Sequence, residues 1–156
     1  MKTARAFSLI EVIIAVIVLA IAVPPTLNMM DSAASGRVDA INTTRATLLA
    51  TSVLEMVMAD LSSNDADLGF DALSDTNAYI NTPGTGLEDR LETLVEPYTS
   101  AGFTYSVNVG SLISADGTVS VDVDENIFRV ITVRVSFPSA STASYELPVQ
   151  VMVSAI

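Results

Sequence analysis

The sequence predicts an α+β fold, a long N-terminal helix packed on a four-stranded antiparallel sheet. Three observations lead there. Residues 7–23 (FSLIEVIIAVIVLAIAV) are apolar apart from Ser8 and Glu11. Beyond Pro24 and Pro25, apolar residues recur at steps of three or four as far as Leu61. From Phe103 onward the alternation drops to a period of two, the change that separates helix from strand.

The first stretch is a membrane segment by length and composition. At about 1.5 Å per helical residue, residues 7–23 span roughly 25 Å, close to a bilayer's hydrocarbon core. Lys2 and Arg5 precede it and the first acid after it is Asp31, so the positive-inside bias keeps the amino terminus cytoplasmic. Glu11 breaks the pattern. A carboxylate at depth in lipid costs up to a few kcal/mol and needs a partner. No cation lies within helical reach of it inside the segment. The plainer alternative is that Glu11 marks the membrane interface.

A basic leader (MKTARA), then Phe7-Ser8-Leu9-Ile10-Glu11-Val12 and an apolar run, resembles the prepilin signal of type IV pilins and type II secretion pseudopilins. The resemblance implies that a membrane-embedded prepilin peptidase cuts between Ala6 and Phe7 and methylates the new amino terminus at Phe7. It makes Glu11 the family's signature glutamate, whose carboxylate meets the amino terminus of a neighbouring subunit. The family usually has Gly before the cut; this chain has Ala6. The implied organisation is a leader at residues 1–6, the transmembrane and assembly half of the helix at 7–25, and a pilin-like domain at 26–156. An ordinary secretory signal peptide is the competing reading. It fits less well, because no small-x-small cleavage site follows Pro24-Pro25 and the apolar face resumes beyond them.

That face comprises Leu27, Met30, Ala34, Val38, Ile41, Leu48, Val53, Met56 and Leu61, with Asp31, Arg37, Asp39, Arg45, Glu55 and Asp60 largely off it. It predicts an amphipathic helix over residues 26–61 whose stripe packs on the sheet. A coiled-coil partner is the alternative, but the spacing is not strictly heptad. The paired prolines withdraw amides from the carbonyls of Ala20 and Ile21 and predict a kink or local unwinding.

Residues 62–102 are rich in Ser, Asn, Asp, Gly and Pro, the composition of connecting structure. One or two helical turns are expected over residues 87–95, with Glu88 and Asp89 at the positive end. Nine acids lie between Asp60 and Glu96 against only Arg90. Asp65, Asp67 and Asp71 around Gly69 raise the question of calcium, which some pseudopilins bind in this part of the fold. The match to an EF-hand loop is poor, a solvated acidic loop suffices, and no cofactor is assigned.

Four segments, FTYSVNV, VSVDVDE, FRVITVRVSF and YELPVQVMVS, then alternate apolar and polar residues and predict the four strands over residues 103–156. Asp116-Gly117 and, more weakly, Glu125-Asn126 mark turns. In the third strand Arg129, Ile131, Val133, Val135 and Phe137 form the more apolar face and are assigned to the helix. Pro148 in the last strand points to an edge or a bulge.

Composition narrows the function. The chain has no His and no Cys, which removes the commonest general bases, thiol nucleophiles and metal ligands. Asp122 and Asp124 are a carboxylate pair of the ordinary solvated kind, so no enzyme is read here. Cleaved before Phe7, the chain holds five arginines against eighteen acids, a net of −13 before its amino terminus is counted. Such a surface repels phosphate backbones, so nucleic acid is not an expected partner.

The sequence reading is thus a filament subunit, a minor pilin or pseudopilin. It is single-pass in the inner membrane with its domain outside the cytoplasm, and its partners are prepilin peptidase, other pilin or pseudopilin subunits, an assembly platform and lipid. Two readings compete with it: a membrane-tethered adhesin using the acidic 60–96 region without polymerising, and a simple bitopic protein that keeps residues 1–6.

Overall fold

The computed structural model describes residues 8–63, 65, 67–140 and 143–154. Helix α1 (Leu9–Leu61) is 53 residues long, about 80 Å at 1.5 Å per residue. It ends where the apolar period ends. It also passes through Pro24 and Pro25 without unwinding, contrary to the unwinding that the sequence suggested. Proline's fixed φ is itself a helical value, so the helix continues although two carbonyls lose their amide partners. The Thr26 hydroxyl donates to the carbonyl of Ala22 at 2.8 Å in the next turn.

Residues 62–102 are more structured than their composition implied. A 3₁₀ turn at Asp71–Ser74 and the short helix α2 (Thr76–Asn81) precede α3 (Leu87–Thr99). Asp75 caps α2 by accepting the amide of Ala78 at 3.0 Å. Helix α3 outlasts the expected 87–95 and carries Glu88 and Asp89 in its first turn. Leu73, Tyr79, Leu87, Leu91 and Val95 reach into the core from these pieces.

The sheet has three strands, not four. β1 (Thr104–Val109), β2 (Phe128–Phe137) and β3 (Tyr145–Ser154) lie in the order β1-β2-β3, both pairings antiparallel. The expected strand VSVDVDE is a loop ending in a 3₁₀ turn at Val123–Glu125. The cause is local. Asp122 Oδ1 accepts the amide of Asp124 at 3.1 Å, while Asn126 accepts from the amide of Ser120 and donates to the carbonyls of Ser120 and Asp122. Such side-chain bonds satisfy the backbone without a ladder. Both flanks of β2 are moreover already taken, by β1 with an isolated bridge from Ile113 to Phe128, and by β3. The Asp116-Gly117 turn forms as expected, with Gly117 at φ +85°. The Asp116 carboxylate accepts from the Ser114 hydroxyl and from the amide and hydroxyl of Thr118, and these bonds hold its pKa below the usual carboxylate range.

Ile131, Val133, Val135 and Phe137 of β2 are buried and the strand packs on α1, as the alternation required. Pro148 sits on the edge strand β3, opposite Arg134. The helix, however, turns a different face to the sheet from the one its apolar stripe suggested. The buried positions of α1 are Ala46, Leu49, Ala50, Val53, Val57 and Asp60. Of the expected stripe only Val53 is among them, Met56 and Leu61 pack at the margin, and Leu27, Met30, Val38, Ile41 and Leu48 are exposed. At about 100° per residue, the 27–48 stripe is centred roughly 120° around the helix from the core face. Two alanines on the core face let the helix lie close to the strands. Asn42 and Asp39 fix its height: Asn42 Nδ2 donates to the carbonyl of Pro138 at 2.9 Å and the amide of Ala140 donates to Asp39 Oδ1 at 2.8 Å.

Candidate assembly site

The packed domain begins near Asp39, and below it α1 stands alone. Residues 8–34 are all exposed. This includes Ile10, Val12, Ile13, Ile14, Val16, Ile17, Val18, Leu19, Ile21 and Val23. Such a surface is stable in lipid or against other apolar helices, not in water. The helix is long and apolar enough to cross a membrane.

Glu11 lies in its first turn. Ser8, in extended backbone conformation, is the N-cap, and its hydroxyl accepts the amide of Glu11 at 3.3 Å. Ser8-Leu9-Ile10-Glu11 is thus an S-x-x-E sequence, the spacing that opens helices, and the carboxylate sits at the positive end of the helix dipole. The spacing itself is the signal in the sequence that marks where the helix starts. The Glu11 side chain is exposed and meets no cation among the described residues. Arg37, the next basic residue along α1, is 26 positions on, about 39 Å along the axis. Ala6 and Phe7, where cleavage is expected, and the basic Lys2 and Arg5 lie outside the described residues.

This placement, a capped glutamate at the head of a bare apolar rod, coincides with a family match. Residues 1–23 match the model of the prokaryotic N-terminal methylation motif, the type IV pilin and pseudopilin signal. No curated protein and no solved structure matches this chain. The methylation motif points to a structural subunit rather than an enzyme, and it implies processing by prepilin peptidase and assembly with other pilin subunits. Together with the apolar helix, it is consistent with membrane anchoring.

Outside the motif, the acidic 60–96 region does not behave as a solvated loop throughout. Asp60, read in sequence as lying off the apolar face, is 5% exposed. Its carboxylate takes both Arg90 Nη1 at 2.5 Å and Nη2 at 2.8 Å, and the Tyr79 hydroxyl donates to it at 2.5 Å. This cluster ties the end of α1 to α2 and α3. Burial, followed by the Asp60 carboxylate, pushes the Tyr79 hydroxyl well above its ordinary range, and the hydrogen bond to Asp60 raises Arg90. The available signal was that Arg90 is the one cation among nine acids. Asp65, Asp67 and Asp71 do not converge, and among the described residues no group of three acidic side chains is arranged to hold a metal. Glu88, Glu92 and Glu96 follow one another a turn apart along α3 and line an open hollow of about 510 Å³ with Tyr105. Burial and the Glu88 charge raise the Tyr105 hydroxyl.

Proposed function

We propose that this chain is a filament subunit, a minor pilin or pseudopilin of a type IV pilus or a type II secretion system. The observation that supports it most is that the methylation motif heads a helix whose first 26 described residues bury nothing within the chain. In this reading residues 1–6 are a leader and prepilin peptidase hydrolyses the bond between Ala6 and Phe7. Methylation then leaves Phe7 with a secondary ammonium, still cationic. The segment at 7–25 spans the inner membrane with the leader cytoplasmic and the 26–156 domain outside, until an assembly platform extracts it into a helical array. Glu11 then has its counter-charge on the amino terminus of a neighbouring chain. Leaving either charge alone in lipid is costly, so pairing favours assembly and sets register. Apolar contact between the rods supplies most of the association energy.

Mass spectrometry of the mature protein tests the first step, with N-methyl-Phe7 as the expected terminus. A protein that retains residues 1–6 refutes it. Replacing Glu11 with Ala tests the second step: subunits should accumulate in the membrane while the sheared filament fraction loses them. A tether that does not polymerise would tolerate the change.

A further inference from the structure

Two exposed surfaces of this chain have complementary chemistry and lie at opposite ends of the domain. The first is the stripe on α1. Leu27, Met30, Ala34, Val38, Ile41 and Leu48 fall within about 100° of the helix circumference, and Arg37 and Arg45 fall in the same sector while no acid of residues 27–48 does. Every one of these side chains is exposed. The other described arginines are engaged: Arg90 with Asp60, Arg129 with the carbonyl of Gly110 at 2.9 Å, and Arg134 with Glu146 at 3.3 Å. Arg37 and Arg45 make no ion pair among the described residues.

The second surface is the loop that failed to become a strand. Val119, Val121 and Val123 are 69%, 105% and 78% exposed. Scattered apolar side chains on a surface are ordinary, but three valines within five residues form a patch that water does not favour. Asp122, Asp124 and Glu125 accompany them with no base between. The loop is pre-shaped by Asn126, which accepts the Ser120 amide at 2.8 Å and returns a bond to its carbonyl at 2.9 Å. Docking it therefore costs little ordering.

The two surfaces cannot meet within one molecule. The loop leads into Phe128 at the start of β2, whereas the other end of that strand, Phe137-Pro138, lies beside Asn42, at the height of Val38, Ile41 and Arg45 along α1. Ten strand residues separate them, about 30 Å. A contact between such surfaces joins two copies head to tail, and a head-to-tail contact that does not close on itself propagates as a helical filament.

We propose that the 119–125 loop of one copy docks on the Arg37, Val38, Ile41 and Arg45 face of α1 in a second copy displaced along the helix axis by about 30 Å, a more distant neighbour than the one whose amino terminus Glu11 meets. The valines cover the apolar stripe and Asp124 meets an arginine. A chain with a net charge of −13 after cleavage repels its own kind, and the two unengaged arginines provide the local attraction against that repulsion. The inference rests on the filament reading above and adds a contact between copies of this chain outside the membrane.

The chain has no cysteine, so introduced pairs report cleanly. Full-length Ile41→Cys and Val121→Cys chains, one of them tagged, are co-expressed in the host cell and oxidised mildly. A disulfide-linked dimer is expected from the mixture and from neither variant alone. Adding Arg37→Glu and Arg45→Glu to the first chain lowers the yield about tenfold or more, and Asp124→Arg in the second restores it. If mature filaments form and depend on Glu11 but the mixed dimer is absent, the docking contact is wrong and the filament reading survives. Dimers from Val121→Cys alone, or a cross-link to a chain of different mass, overturn head-to-tail docking between copies. An uncleaved chain that forms no filament removes both proposals.

Discussion

Removing the cation from the Asp60, Arg90 and Tyr79 cluster is the sharpest perturbation of the domain. In Arg90→Met the Asp60 carboxylate, whose side chain is 7% exposed, keeps only the Tyr79 hydroxyl. Breaking a fully buried ion pair from one side costs about 3–5 kcal/mol. The Arg90 side chain is 24% exposed, so water tempers the loss, and about 2–4 kcal/mol is expected. For a domain of this size that corresponds to a fall in Tm of roughly 10 °C. Asp60→Leu together with Arg90→Met removes both charges and should recover a large part of the loss, giving a coupling energy above about 1 kcal/mol. The assay is thermal unfolding of the full-length chain in detergent, followed by near-ultraviolet circular dichroism. The chain has no Trp and, of its tyrosines and phenylalanines, only Phe7 lies in the anchor segment, so that signal comes almost entirely from the packed domain. An Arg90→Met protein melting within about 2 °C of the parent, or a double variant no more stable than the single one, refutes the idea that this pair secures α1 to α3.

The raised Tyr79 pKa makes stability depend on alkali. An unfolded tyrosine ionises near 10.0, whereas the folded one holds its proton to higher pH. Its contribution is complete below pH 10 and declines as pH rises above it, and Tyr79→Phe should flatten that limb of a stability-versus-pH curve. Gly86→Ala places a methyl group 2.5 Å from the carbonyl oxygen of Ile80 and 2.7 Å from the amide nitrogen of Thr82. Backbone must move to admit it, and urea unfolding should show a loss of about 1–3 kcal/mol. Val121→Ser, at a side chain with nothing packed on it, should leave the urea midpoint within about 0.5 kcal/mol of the parent. A larger loss would mean that the valine loop is part of the domain core.

The sequence alone settled those features that depend on local periodicity and composition. The bare apolar run and the anomalous Glu11 lie within a few residues of one another, and the methylation motif covers residues 1–23. The end of α1 at Leu61 and the spans of β2 and β3 followed from the same kind of signal, a repeat of 3.6 or of two carried over many residues. Tertiary structure decided which of two helix faces meets the sheet. The stripe with larger apolar residues lost to one with Ala46 and Ala50, because close approach to strands favours small side chains, and periodicity does not reveal which surface has a partner. It also decided the fate of residues 119–125. Their alternation is that of a strand, but both flanks of β2 were occupied and Asp122 and Asn126 offered the backbone local bonds instead. Asp60 became a buried ion-pair member for the same kind of reason. Its charge suggested the surface, and only the meeting of α1, α2 and α3, brought together across 30 residues of sequence between Asp60 and Arg90, supplied the guanidinium and hydroxyl that make its burial tolerable.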